Sequence, residues 1–272
     1  METTSASPPP PPVPVLVAPV TPTNSESTPV PSAQEIDASS LATSFTQMAA
    51  TLPAGDVGVT IYDGQRITQY GSWTDGAAWS TIKVPLSIAA LRADPEGAEP
   101  LMRQAISQSD NSSADQMWAL LGDPAAAAAA VEDVLREGGD AVTTVQQQQV
   151  RPPYSSYGQT TWSEYQTAIF AFNLPCVPGA EPVLASMRAV GGNQQWGLAN
   201  FAGTAVKGGW GPGTDGGYLV RQLAVVNNAT GILGISLAAR PHDGSIATGE
   251  AMLNFLGAWI DQTRNNIVGG QC

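Results

Sequence analysis

Charge, lysine, histidine and cysteine are all scarce in this sequence, and each shortage excludes something. Charged residues make up 12% of the 272 residues, against about 25% in ordinary soluble proteins. A single histidine and two cysteines cannot assemble a Cys/His zinc cage, which leaves only a carboxylate-rich site open to a metal. The histidine, His242, lies between Pro241 and Asp243 and reads as a surface-turn residue, and no Gly-x-Ser-x-Gly elbow occurs, so a histidine-based serine triad has no support. No apolar run reaches the roughly 18 residues that a membrane-spanning helix needs. Basic residues number 11 against 23 acidic ones, for a net charge of −12. That balance repels phosphates and argues against nucleic acid or an anionic membrane surface as partner.

The basic residues that are present divide unevenly. Only Lys83 and Lys207 are lysines; the rest of the 11 are arginines. Lysine can shed its proton when buried and act as a base, which arginine cannot do. Two lysines surviving a general bias towards arginine therefore mark positions worth following.

Prolines crowd residues 8–31, with five in succession at 8–12, and Thr and Ser fill most of the remainder. Such a segment cannot bury enough apolar surface to offset its ordering entropy, so residues 1–38 are expected to form an extended tether before a folded domain over 39–272. Glu2 and the lack of a compact apolar stretch rule out a secretion signal within it. A Pro/Thr/Ser tether suits an exported, cell-envelope-associated protein, secreted or lipidated, whose signal segment is absent from this chain. A cytoplasmic protein with a disordered tail is the alternative. Cys176 and Cys272 form either one disulfide pinning the C-terminus or two unrelated buried thiols.

Residues 57–62 alternate and are β-branched, Asp63-Gly64 is a hairpin signal, and 66–72 return as a second strand. Helices are expected over 80–92, over 99–121 with a break at Ser109-Asp110-Asn111, over 124–137 behind Asp123-Pro124, and over 161–173 and 180–190. Residues 140–160 lack periodicity and read as a loop. Strands follow at 204–210, 217–227 and 231–239, then an amphipathic helix over 246–264. Two groups of strands flanking a helical block can share one antiparallel sheet. The fold class is α/β of the α+β type, an antiparallel sheet with flanking helices plus an inserted all-α lobe.

Three motifs carry chemistry. Ser80-Thr81-Ile82-Lys83 opens a helix, and an i, i+3 spacing places Ser and Lys on one face. The free N–H groups of a helix start can also receive a developing oxyanion. Ser109-Asp110-Asn111 sits in the break between helical stretches, and Lys207-Gly208-Gly209 lies on a strand. Each motif alone is weak. Together, in this order, and holding the only two lysines, they are a strong signal for a lysine-activated serine nucleophile, because a serine hydroxyl needs an adjacent base. Lys83 serves as that base only when neutral, and burial and a second cation both lower an amine's pKa. Ser80 is expected at a solvent-reachable helix start, with the Lys83 and Ser109 side chains in hydrogen-bonding range.

The trio resembles the signature of the penicillin-recognising serine enzymes, the class A β-lactamases and the related transpeptidases and carboxypeptidases. The resemblance covers roughly residues 45–264, with MRAVGGNQQWGLANFAGTAVKGGW resembling the approach to the third motif and Thr160-Thr161-Trp162 the close of the family's Ω-loop. It implies a β-lactamase/transpeptidase-like fold with its site between two lobes. It also implies Ser80 as the acylated nucleophile, Lys83 as proton acceptor and Ser109 as relay to the leaving nitrogen. Lys207 would support Ser109 and attract a substrate carboxylate, and Asn111 would bind the substrate's side-chain amide. The strand Gly209-Trp210 would line the site, with the N–H groups of Ser80 and Trp210 as oxyanion hole. No cofactor and no metal are implied.

Three departures shape the expected activity. The spacing from Ser80 to Ser109 is about half the family's, which opens the cleft. Gly208 replaces the hydroxyl residue of the third motif, leaving Arg221 as the candidate partner for a substrate carboxylate. The deacylating glutamate is missing: the loop offers Gln146 to Gln149, Asp140 comes too early, and Glu164 reads as a helix-surface residue. The expected function is a serine acyl-enzyme hydrolase or acyltransferase with slow deacylation, acting on a carboxylate-bearing peptide, such as a peptidoglycan stem peptide, or on a β-lactam amide. A non-hydrolytic module binding wall fragments or penicillin, and an active β-lactamase with another deacylation base, are the alternatives.

Overall fold

The computed structural model describes residues 38–272, so the expected tether lies outside the described residues apart from Ala38. Five strands make the main sheet: β1 (Gly55–Tyr62), β2 (Ile67–Gly71), β5 (Thr204–Pro212), β6 (Tyr218–Asn227) and β7 (Ile232–Pro241). All neighbours are antiparallel in the order β2-β1-β7-β6-β5. The run Leu219–Val226 of β6 is buried without a break, as expected of a strand covered on both faces. One face carries α1 (Ala38–Ala49) and α8 (Ile246–Thr263) over Val59, Val220, Ile235, Leu237, Leu256 and Trp259. Against the other lies α6 (Glu164–Asn173), followed by the helical block. A two-stranded ladder of β3 (Asp75–Ala77) and β4 (Thr161–Ser163) joins the two.

The helical block is α2 (Lys83–Ala93), α3 (Pro95–Ser107), α4 (Asn111–Leu120), α5 (Pro124–Glu137) and α7 (Glu181–Met187). Every residue of α2 from Lys83 to Ala90 is buried, the mark of a helix at the centre of its lobe. The boundaries follow local chemistry. Asp94 accepts from Gly97 N, Asp110 from Ser113 N, and Asp123 from Ala125 N and Ala126 N, each satisfying N–H groups that a helix start leaves free. Only Asp94 separates α2 from α3, so those two helices fill the span between Ser80 and Ser109.

Three boundaries differ from those read in the sequence. The first turn of the 80–92 helix is a 3₁₀ turn, Trp79–Ile82. Residues 161–163 are strand, not helix, because they pair with 75–77, and Ser163 then caps α6. Helix α1 was not read in the sequence: two thirds of it is Ser, Thr and Ala, and it is held by the stacking of Phe45 on Tyr70 and its edge contact with Trp259.

Cys176 and Cys272 are joined in a disulfide, resolving the two readings left open above. It ties the last residue to the turn after α6. Cross-linking across 96 residues restricts the unfolded chain strongly. Cys272→Ser is expected to lower unfolding free energy by about 2–4 kcal/mol, measured by denaturant titration against the parent protein. Loss of less than about 0.5 kcal/mol would mean that the bond does not constrain the fold.

Candidate functional site

The 3₁₀ turn Trp79–Ile82 carries half-buried Ser80 into α2. In such a turn i and i+3 eclipse, which sets Ser80 in line with Lys83. The residue before it, Trp79, has φ 50°, a left-handed conformation costly for a bulky side chain. Its indole lies on the backbone of Gly211, where a Cβ would stand 2.4 Å from the ring. Tyr154 packs edge-on against that indole, and the Arg151 guanidinium lies 5.8 Å from its centroid.

Lys83 is 1% exposed. Its ammonium donates to Ser109 O at 2.7 Å, Asp110 O at 3.2 Å and Asn111 Oδ1 at 2.7 Å. Lys207 is fully buried and donates to Ser109 Oγ at 3.0 Å, Gln194 Oε1 at 2.5 Å and Gly208 O. Ser109 has φ 57°, and it offers its carbonyl to one amine and its hydroxyl to the other. Burial pulls the Lys83 amine down to about 8, against the opposing pull of Asp110 and Asp115. Burial, then the charge of Lys83, depresses Lys207 well below the usual lysine range.

The strand β5 closes the ring. A Cβ at Gly209 would stand 2.9 Å from Ala78 O and 3.1 Å from Ser80 N, so glycine lets the strand lie directly against the serine turn. The three motifs therefore converge: Ser80 beside Lys83, Lys83 on Ser109 and Asn111, Ser109 on Lys207, and the Lys207 strand back on Ser80. Among the described residues, however, no hydrogen bond joins Ser80 Oγ to Lys83 or Ser109, contrary to the expected contact. The three Lys83 protons are already given to the 109–111 turn.

Arg221 is a correction. It is opposite Gly209 in the β5–β6 register, but it is fully buried and its guanidinium is engaged within the protein. It pairs with Glu164 at 2.9 Å and donates to Trp162 O and Thr167 Oγ1. It holds the β3–β4 ladder and is not available to a substrate. Glu164 is likewise no surface residue: it is fully buried, accepting also from Ser236 Oγ. Burial pushes its carboxyl up, with Arg221 and Ser236 opposing. Gly208 has a packing reason, since a Cβ there would stand 2.7 Å from the Trp196 ring. Trp210 is half-buried, its ring 6.1 Å from that of Trp196.

Several site residues went unread in the sequence. Gln194 binds Lys207, Gly208 N, Ile106 O and Ser107 O, and one glutamine has no sequence signature. Asp115 lies one turn beyond Asn111 and accepts from Tyr157 Oη at 2.6 Å. In the loop, Asp140 is buried and occupied by Val142 N, Thr143 N and Trp162 Nε1. His242 is exposed at the end of β7, near Asp56. Among the described residues, no three His, Cys, Asp or Glu side chains gather to hold a metal, and no single helix is long and apolar enough to cross a membrane.

If Arg221 and Glu164 compensate each other's burial, removing one leaves an unpaired buried charge, costing about 3–5 kcal/mol. Arg221→Met is expected to destabilise by that amount, and adding Glu164→Met to recover most of it, in a double-mutant denaturation cycle. Additive losses would mean that the pair is not coupled.

No family model matches the sequence, and no curated protein matches it. Solved structures do. A beta lactamase from Burkholderia vietnamiensis superposes with TM-score 0.64 at 17% identity, covering 83% of this chain and 97% of that one. A beta-lactamase from Sphaerobacter thermophilus gives 0.63 at 20% identity, covering 85% and 99%. The class A beta-lactamase from Mycobacterium abscessus gives 0.62 at 16%, covering 82% and 99%. The sheet flanked by helices, the inserted helical block and these superpositions establish that the chain has the fold of the class A β-lactamases.

Proposed function

We propose that the chain is a serine acyl-enzyme hydrolase or acyltransferase acting on a peptide or β-lactam amide. The observation that carries this is the convergence of Ser80, Lys83, Ser109 and Lys207 around one strained turn, at the edge strand β5. In this reading Ser80 is the nucleophile and neutral Lys83 takes its proton. Ser109, bridging the two amines, passes a proton to the leaving nitrogen. Lys207 holds Ser109 in place, and Asn111 receives the amide of the acyl group. The N–H groups of Ser80 and Trp210 receive the oxyanion, which Gly209 permits by bringing β5 against the serine turn. The disulfide supports an oxidising, extracytoplasmic location. A wall-fragment-binding module would have no use for two buried amines, each costly to desolvate.

Lys83 must lose a proton to work, and its pKa is drawn down to about 8. A base is active in its deprotonated form, so acylation is expected to rise with pH, half-maximal near 8, and to level above it. Stopped-flow acylation by an activated ester across pH 6–10 measures this. A rate flat from pH 6 to 10 would remove Lys83 as the base.

Deacylation is the slow step in this reading. Of the ionisable groups in 140–160, Asp140 is spent on backbone N–H groups and Trp162, Arg151 on the carbonyls of Pro212 and Gly213, and Tyr157 on Asp115. The Tyr154 ring packs on Trp79. General-base assistance is worth about 10²–10⁴ in rate. An acylated Ser80 is therefore expected to persist, its added mass stable over many minutes by intact-mass spectrometry and absent in Ser80→Ala. Rapid recovery of the free mass, lost in Asp115→Asn, would instead favour an active β-lactamase using the carboxylate that receives Tyr157.

A further inference from the structure

We infer that the leaving-group half of the cleft accepts an uncharged group rather than a carboxylate, so that the substrate is an amide whose amine half carries no negative charge. This rests on the serine-hydrolase reading above. The leaving group departs beside the residue that returns its proton, so the side of the cleft at issue is that of Ser109, Lys207 and Gly208.

Among the described residues, that side holds no cation free to meet an anion. Lys207 is fully buried, and its three protons already go to Ser109 Oγ, Gln194 Oε1 and Gly208 O. Lys83 is in the same state, with three acceptors from the 109–111 turn. Arg221, the remaining candidate, is buried on Glu164. Nor is there a hydroxyl at the head of the strand: the Trp196 ring lies so close to Gly208 that no side chain fits. The half-buried ring of Trp210 lies beside the buried Trp196. The charges felt at Lys83 are carboxylates, half-buried Asp110 and exposed Asp115.

One guanidinium near Ser80 keeps unspent donors. Arg151 gives Nη2 to Pro212 O and Gly213 O and makes no other hydrogen bond among the described residues. It sits at the far end of β5, five residues beyond Lys207, or about 16 Å along an extended strand. It therefore faces the acyl half of a bound substrate, not the leaving group. This placement departs from the carboxylate-bearing substrate expected from the sequence, because the two groups invoked for it there, Lys207 and Arg221, are both occupied inside the protein.

The test compares benzylpenicillin with its methyl ester, which differ only in whether the amine half bears a carboxylate. A neutral alkyl fluorophosphonate serves as a separate check on the nucleophile. Second-order rate constants for mass addition at Ser80 are read by intact-mass spectrometry of the full chain, followed by peptide mapping. The methyl ester is expected to acylate at least 10-fold faster than the acid. Added salt should speed the acid and leave the ester unchanged, because screening relieves repulsion. An acid that reacts as fast as the ester, or faster, overturns the inference, as does an ester that forms no adduct on an enzyme that the fluorophosphonate labels. No labelling by the fluorophosphonate would instead sink the serine-hydrolase reading itself.

Discussion

Ser109 holds the site together, because one residue must satisfy two buried amines at once. Its carbonyl faces Lys83 and its hydroxyl faces Lys207. Its left-handed backbone, φ 57°, is an unfavourable conformation for serine, sustained only where the surroundings over-determine it. Here they do. Asp110 caps α4, Asn111 gives its amide oxygen to Lys83, and Gln194 pins the end of α3 through Ile106 O and Ser107 O while accepting from Lys207. An amine buried without acceptors would carry several kilocalories of desolvation. Placing both on one turn lets their mutual repulsion and burial favour loss of a proton, which is the property a lysine base needs.

The second constraint is the set of three glycines in the second half of β5. Gly208, Gly209 and Gly211 stand where Trp196, the Ser80 turn and the Trp79 indole respectively come too close for a Cβ. Each glycine answers to a different neighbour, so the departure at 208 is coupled to Trp196 rather than being an isolated loss. The strand end is in turn tied to the 140–160 loop by Arg151, which caps the Pro212 and Gly213 carbonyls while covering Trp79 and Tyr154. The loop, the nucleophile turn and the edge strand thus share one aromatic joint.

What could be read in the sequence was local. Asp123-Pro124 announced α5 because an aspartate and a proline answer the needs of a helix start without help from elsewhere. Lys83 and Lys207 were legible because lysine is so rare here. Arg221 was misread for a reason that sequence does not contain. Which side of β6 it occupies depends on the pairing of that strand with β5 and β7, and its partner Glu164 is brought beside it only by the β3–β4 ladder. Because 161–163 looked helical, Glu164 fell on an exposed face, whereas the strand ending at Ser163 turns it inward. Gln194 and Trp196 were invisible for the same reason: their meaning comes from what they touch 13 or more residues away.

A chain with so few charges uses almost all of those inside it to hold its own backbone. Glu164 and Arg221 hold the ladder to the sheet. Asp140 binds the opening of the loop and the Trp162 indole, and Asp110 serves a helix start. What remains for chemistry are two amines that burial makes easier to deprotonate, two serines and backbone N–H groups. In the proposed mechanism these make the acyl-enzyme: passing the Ser80 proton to the leaving nitrogen by way of Lys83 and Ser109 creates no net charge, and the oxyanion is met by dipoles. In the same proposal the 140–160 loop offers no base for water, because its one carboxylate, Asp140, is already bound to its own chain. In that reading, the economy that allows so many interior groups to be structural is also what separates acylation from release.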